Sequence, residues 1–166
     1  VPAGSGRPGL GLSLALLALA LLADRLHKHI QIEVLGWRGG EIVPVTGFFD
    51  YVLVWNTGVS YGLFGDLPLW LLGIVIAAAT LALAVWWWRS TQTLVRAGLA
   101  LCIGGALSNA VDRLLYGAVA DFFHFHWQAY SFYIFNIADT AITFGVLLLV
   151  LDILGIGRDR PAPDAA

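Results

Sequence analysis

Charge is what this sequence has least of. Only 12% of its 166 residues are Asp, Glu, Lys or Arg, while 59% are hydrophobic and mean hydropathy is +0.81. Soluble domains carry about twice that share of charge, so a water-soluble globular fold is excluded. The formal net charge of -2 and pI near 6.0 leave no basic face for nucleic acid. Cysteine occurs once, as Cys102 inside an apolar run, so no disulfide can form within the chain. That thiol reads as a small packing group. Methionine is absent and the first residue is Val, so the start reads as trimmed and carries no argument. There is no internal repeat and no low-complexity tract.

What is abundant is apolar sequence in long runs. A helix needs about 20 such residues to cross a bilayer. Four runs meet or approach this: about Leu10 to Ala23, Leu67 to Trp88, Leu94 to Leu115 and Phe135 to Ile156. The first lacks a following small-residue cleavage site and leads into Asp24, Arg25 and Lys28, so it reads as a retained span. Arg7, Arg89, Arg96, Arg158 and Arg160 group on one side; Arg38 stands in the long loop on the other, with Arg25, Lys28 and Arg113 at that side's helix ends. Basic residues favour the cytoplasm, which places both termini and the Arg89–Arg96 loop there and Trp86, Trp87 and Trp88 at that interface.

Between the first two spans, QIEVLGW, RGG and EIVPV read as strand, turn and strand, and FFDYVLVW as a third extended run. Gly39-Gly40 and Thr46-Gly47 supply the turns. The expectation is a small β-sheet platform over about residues 31–56, on the outer membrane surface, with Phe48, Phe49, Tyr51 and Trp55 near the headgroups. A second outer segment, about 116–134, is aromatic and contains ADFFHFHW; Gly117 reads as a hinge. The fold class expected is an all-α membrane protein of four transmembrane helices with this extracytoplasmic platform. Residues 1–157 form one membrane-embedded domain, and 158–166 form a polar cytoplasmic tail.

Few residues in the spans are polar, and three acids among them, Asp24, Asp112 and Asp139, sit at one depth. Asp112 follows Arg96 by sixteen residues, about 24 Å along a helix. Asp139 precedes Asp152 by thirteen, about 20 Å. Both acids, and Asp24, therefore lie near the outer end. Asn109 with Asp112, and Asn136 with Asp139, are spaced i,i+3, while Asn109 and Arg113 are i,i+4, so each set shares a helix face. Gly104, Gly105, Ala106 and Ser108 allow a neighbouring helix close. Lipid cannot solvate these groups, so they face a wet pocket, over which Asp121 can hang. Paired carboxylates there share a proton; one activates water and the other protonates a leaving amine. Arg113 beside Asp112 is expected to keep that acid ionised.

These residues resemble the lipoprotein signal peptidase family, the signal peptidase II intramembrane aspartyl proteases, in five ordered blocks. The blocks are DRLHK, NTGVSYG, GGALSNAVDR, VADFF and FNIAD. Arg25 stands where Gln is usual, and Ser108 where Gly is usual. The resemblance implies that Asp121 and Asp139 are catalytic, that Asn56, Asn109, Asp112, Arg113 and Asn136 shape the site, and that Asp24, Lys28 and Gly58 support it. It implies four spans in the bacterial inner membrane and an active site near the outer face. It further implies a monomer among membrane lipids with no cofactor and no metal. The substrate would be a prolipoprotein with diacylglycerol on its lipobox Cys, cut on the amino side of that Cys.

Plainer readings stand beside these. Asp139 can serve as a helix-start charge, and Asp24 with Lys28 as a modest i,i+4 ion pair. His124 and His126 can ligate a metal from one strand face or line an aromatic interface. Ser60 with Lys28 is a nucleophile pair only if the fold joins them. Intramembrane acids also mark proton-coupled transporters, which place them at the midplane between repeated halves.

Overall fold

A computed structural model describes residues 7–58 and 68–155 of the chain. Ser60, the end of the NTGVSYG block and the expected 158–166 tail lie outside the described residues. Among the described residues, four α-helices and four strands follow in the order α1 (Leu10–His29), β1 (Ile42–Thr46), β2 (Phe49–Asn56), α2 (Leu69–Arg89), α3 (Thr93–Tyr116), β3 (Val119–Trp127), β4 (Tyr130–Ser131) and α4 (Ile137–Ile153). Leu and Ala fill α1, and both favour helix. Gly117 ends α3 at φ 74, a left-handed cap open to glycine at little cost, so it is a stop rather than a free hinge.

Among the described residues, three helices are long and apolar enough to cross a membrane: Leu10–Val34, Trp70–Arg89 and Thr93–Tyr116. The fourth, α4, is apolar but has only 17 residues, about 26 Å of rise. Among them α3 is central and packs against α1, α2 and α4. Its glycines make this possible. A Cβ on Gly105 would lie 2.5 Å from the Ala138 carbonyl oxygen, and one on Gly104 2.6 Å from that of Leu17. Any side chain there would push α4 or α1 away and open the end where the polar residues gather.

Two arginines, Arg96 and Arg7, tie the opposite end together. Arg96, 2% exposed, donates to the carbonyls of Ser90 at 2.8 Å and Pro8 at 2.9 Å. Arg7 stacks over Trp88, 3.7 Å from the ring centre. The start of α1 and the α2–α3 connection therefore share one end of the bundle.

At the other end, where α1 and α3 finish and α4 begins, lies a four-stranded antiparallel sheet in the order β1-β2-β3-β4. The platform differs from the expectation in two ways. Gln31–Trp37 is not a strand: α1 runs on into a π turn over Ile30–Val34, closed by Leu35 N–H on the Ile30 carbonyl at 2.9 Å. That wider turn aims Ile32 into a cluster with Leu53, Ala120 and Phe122, and this burial overrides the β-propensity of the run. The aromatic segment after α3 is part of the same sheet. It supplies β3 and β4, with Tyr51 opposite Phe123 and Val54 opposite Asp121.

Tyr51 and Trp55 also depart from the headgroup role. Tyr51 packs with His27, Trp37 and Phe122, and its hydroxyl bonds His27 Nε2. Burial pushes the Tyr51 phenol up to about 12, partly opposed by a hydrogen bond with Gln31, so it stays neutral. Trp55 packs on Tyr116 and donates to the Arg38 carbonyl at 2.7 Å. Phe48 remains exposed.

Candidate active site

The site begins with how α4 starts. Asn136 caps the helix: its side-chain oxygen accepts the Asp139 N–H at 2.8 Å, and Asp139 Oδ2 accepts the Asn136 N–H at 3.3 Å. This reciprocal box satisfies two orphan donors. The helix-start role of Asp139 is therefore real, but it uses only one carboxylate oxygen. Oδ1 accepts from Asn109 Nδ2 on α3 at 2.9 Å.

Asp121 reaches the same place from the sheet. It lies on β3, 2% exposed. Its Oδ1 accepts from Asn136 Nδ2 at 2.7 Å, and its Oδ2 from Asn56 Nδ2 on β2 at 3.1 Å. Burial and the charge of Asp139 lift the Asp121 carboxyl from its ordinary 3.8 to about 7, against the pull of the Asn56 and Asn136 hydrogen bonds and of Lys28. Asn109 closes the ring: its Oδ1 accepts from Asn136 Nδ2 at 3.1 Å. Two acids from different elements thus share a cage of amides.

Beneath the cage lies a buried ionic cluster. Lys28 Nζ meets Asp24 at 2.7 Å, Asp112 at 2.6 Å and Asn109 Oδ1 at 3.1 Å, which occupies all three ammonium protons. Asp24, Lys28 and Asp112 are 0% exposed. The i,i+4 pair of Asp24 and Lys28 does form, and it lies buried in the floor of the site. Asp24 Oδ1 accepts the Ala138 N–H at 2.9 Å, and Asp112 Oδ2 accepts the Ala120 N–H at 3.2 Å.

The expected Asp112–Arg113 pair is a misassignment. Adjacent helical residues do not face each other. Asp112 pairs with Lys28 and with Arg25, while Arg113 donates to the carbonyls of Asn109 at 3.2 Å and Gly58 at 2.8 Å. Gly58 N–H in turn bonds Asn56 Oδ1 at 3.0 Å. Arg113 therefore pins the end of β2 to α3. Arg25 and Ser108, which stand out in the sequence only as departures from the family pattern, both enter the cluster: Arg25 binds Asp112, and Ser108 Oγ donates to Asp24 at 2.7 Å.

His124 and His126 sit elsewhere on β3, around Asp50 of β2 at 3.6 and 3.2 Å. Among the described residues no group of three or more His, Cys, Asp or Glu is arranged to hold a metal ion. An apolar groove of about 900 Å³ runs between α2 and α3 and ends at Arg113.

The architecture is that of bacterial membrane enzymes. One such enzyme, solved by the in meso method at 2.3 Å resolution, superposes with a TM-score of 0.80 at 24% identity, covering 92% of this chain and 95% of its own. Another, at 1.9 Å resolution, gives 0.74 at 28% identity, covering 87% and 94%. The family model of signal peptidase (SPase) II matches residues 16–155, and the chain belongs to that family. It is 46% identical, over 96% of its length and 90% of the relative's, to a lipoprotein signal peptidase of Methylorubrum extorquens (strain PA1). A lipoprotein signal peptidase of Rhodopseudomonas palustris (strain TIE-1) is 49% identical, with 87% and 92% covered.

Proposed function

We propose that this chain removes the signal peptide from diacylglyceryl-modified prolipoproteins, as an aspartyl endopeptidase with Asp121 and Asp139 as its dyad. The observation that carries the reading is the amide bridge: Asn136 binds Asp121 with its NH₂ and the backbone of Asp139 with its oxygen. At neutral pH the pair holds one proton. The ionised member takes a proton from water, which attacks the scissile carbonyl. The protonated member gives its proton to the leaving amine as the C–N bond breaks. The products are a signal peptide with a new carboxyl end and a lipidated Cys with a free amine.

Family membership supports the substrate class, because relatives covering most of this chain carry the name lipoprotein signal peptidase. The setting we infer is the bacterial inner membrane, with α4 as a fourth span, both termini cytoplasmic and the sheet outside. Residues 1–157 act as one peptidase domain with a cytoplasmic tail at 158–166, working as a monomer among lipids. Clustering of Arg7, Arg89 and Arg96 away from the sheet supports that orientation. The groove between α2 and α3 offers the lipid-bearing substrate an apolar approach that ends at Arg113. The transporter alternative has no support: the acids gather at the sheet end of the helices rather than at midspan, and the family is a peptidase.

Turnover of one precursor with and without diacylglycerol, with the product termini mapped, tests the reading. The lipidated form is cut on the amino side of its Cys, and the bare form is a poor substrate. Equal turnover of both forms would rule out lipid recognition.

A further inference from the structure

Four charged side chains meet beneath the dyad. Asp24, Lys28 and Asp112 are fully buried, and Arg25 closes the edge with 20% of its side chain exposed. Two anions thus face two cations. Each anion also holds the main chain next to one acid of the dyad, because Ala138 precedes Asp139 and Ala120 precedes Asp121. Lys28 cannot serve Asp112 alone, since its three protons are shared among Asp24, Asp112 and Asn109. Asp112 Oδ1 takes its cation from Arg25. Arg25 also reaches the Ser108 carbonyl at 3.5 Å, and the Ser108 hydroxyl completes Asp24.

We propose that Arg25 is a positioning residue for cleavage: it supplies the second cation of the cluster and, through Asp112, fixes Ala120 and therefore Asp121. The proposal rests on the dyad reading above. Without the guanidinium the cluster goes from balanced to one net negative charge, and a buried carboxylate left short of a partner is costly. Lys28 from α1, Arg113 from α3 and Asp139 from α4 act on Asp121 through their charge, and Arg25 joins that set through Asp112, the carboxylate it shares with Lys28. Loss of one cation from this set disfavours the ionised dyad. Both limbs of the pH profile then move to higher pH.

The test compares Arg25→Gln and Arg25→Lys with the unchanged full chain in detergent, on a lipidated precursor across the pH range. Arg25→Gln lowers kcat about 5- to 10-fold with little change in KM, and both limbs rise by about half a pH unit or more. Arg25→Lys restores the limbs and most of kcat. Unmoved limbs in Arg25→Gln, a loss confined to KM, or limbs in Arg25→Lys displaced as far as in Arg25→Gln would overturn the role. Where Arg25→Gln does not fold, Arg25→Lys decides alone: limbs in place support the proposal and displaced limbs refute it. Asp121→Asn separates the two readings. Cleavage by that variant sinks the dyad itself, whereas an inactive Asp121→Asn beside an unmoved Arg25→Gln profile sinks only Arg25.

Discussion

Asn136 and Asp121 are joined by a 2.7 Å hydrogen bond from the side-chain amide of one to Oδ1 of the other. The same Asn136 caps α4 through Asp139. One residue therefore sets the position of a strand acid relative to a helix acid, and the two roles predict different sizes of effect when it is cut back.

Asn136→Ala removes a helix cap and a dyad contact together. Loss of the cap lowers stability by about 1 kcal/mol, in line with other caps. Loss of the bridge lowers kcat about 100-fold, equivalent to about 2.7 kcal/mol of barrier. Thermal melts and steady-state kinetics on the same preparation check the pair. A kcat that falls no further than stability does would reduce Asn136 to a cap.

Asp121 predicts a pH-dependent stability with a definite sign. Its carboxyl in the folded chain titrates near 7, above the ordinary 3.8. The folded state therefore binds more protons between those values, and stability falls as pH rises through that window. The full penalty at pH 8 is at most about 4 kcal/mol. Asp121→Asn should raise the melting temperature at pH 8, leave it nearly unchanged at pH 4, and flatten the slope between. Equal shifts at both pH values would show that the slope does not come from this carboxyl.

Chelators should leave cleavage untouched. The four carboxylate oxygens of Asp121 and Asp139 each accept from an amide, and in the proposed mechanism the two acids act on water themselves. The check is activity after EDTA treatment with and without added zinc. A large loss restored by zinc would bring Asp50, His124 and His126 into the chemistry.

The apolar helices are legible in the sequence because length and composition decide them, and the acids' common depth follows from counting residues along those helices. Asp121 and Asp139 are singled out by their sequence blocks, not by spacing, since one lies on a strand and the other on a helix. The partner of Asp112 is not legible, because Arg113, its neighbour in sequence, is not its neighbour in space. On a helix that adjacency points the two apart, and the signal for Lys28 and Arg25 is tertiary. Gln31–Trp37 misleads for a related reason: its β-branched residues suit a strand, but α1 continues into it and buries Ile32. The third and fourth strands are hidden because ADFFHFHW is aromatic enough to suit an interface as well as a sheet.

The most direct test is cleavage of a lipidated precursor by Asp139→Asn. The substituted amide can still accept the Asn136 N–H, so the helix start and the fold survive. The expected result is a protein that melts close to the unchanged chain yet releases no signal peptide. Normal cleavage by that folded variant would contradict a dyad of Asp121 and Asp139.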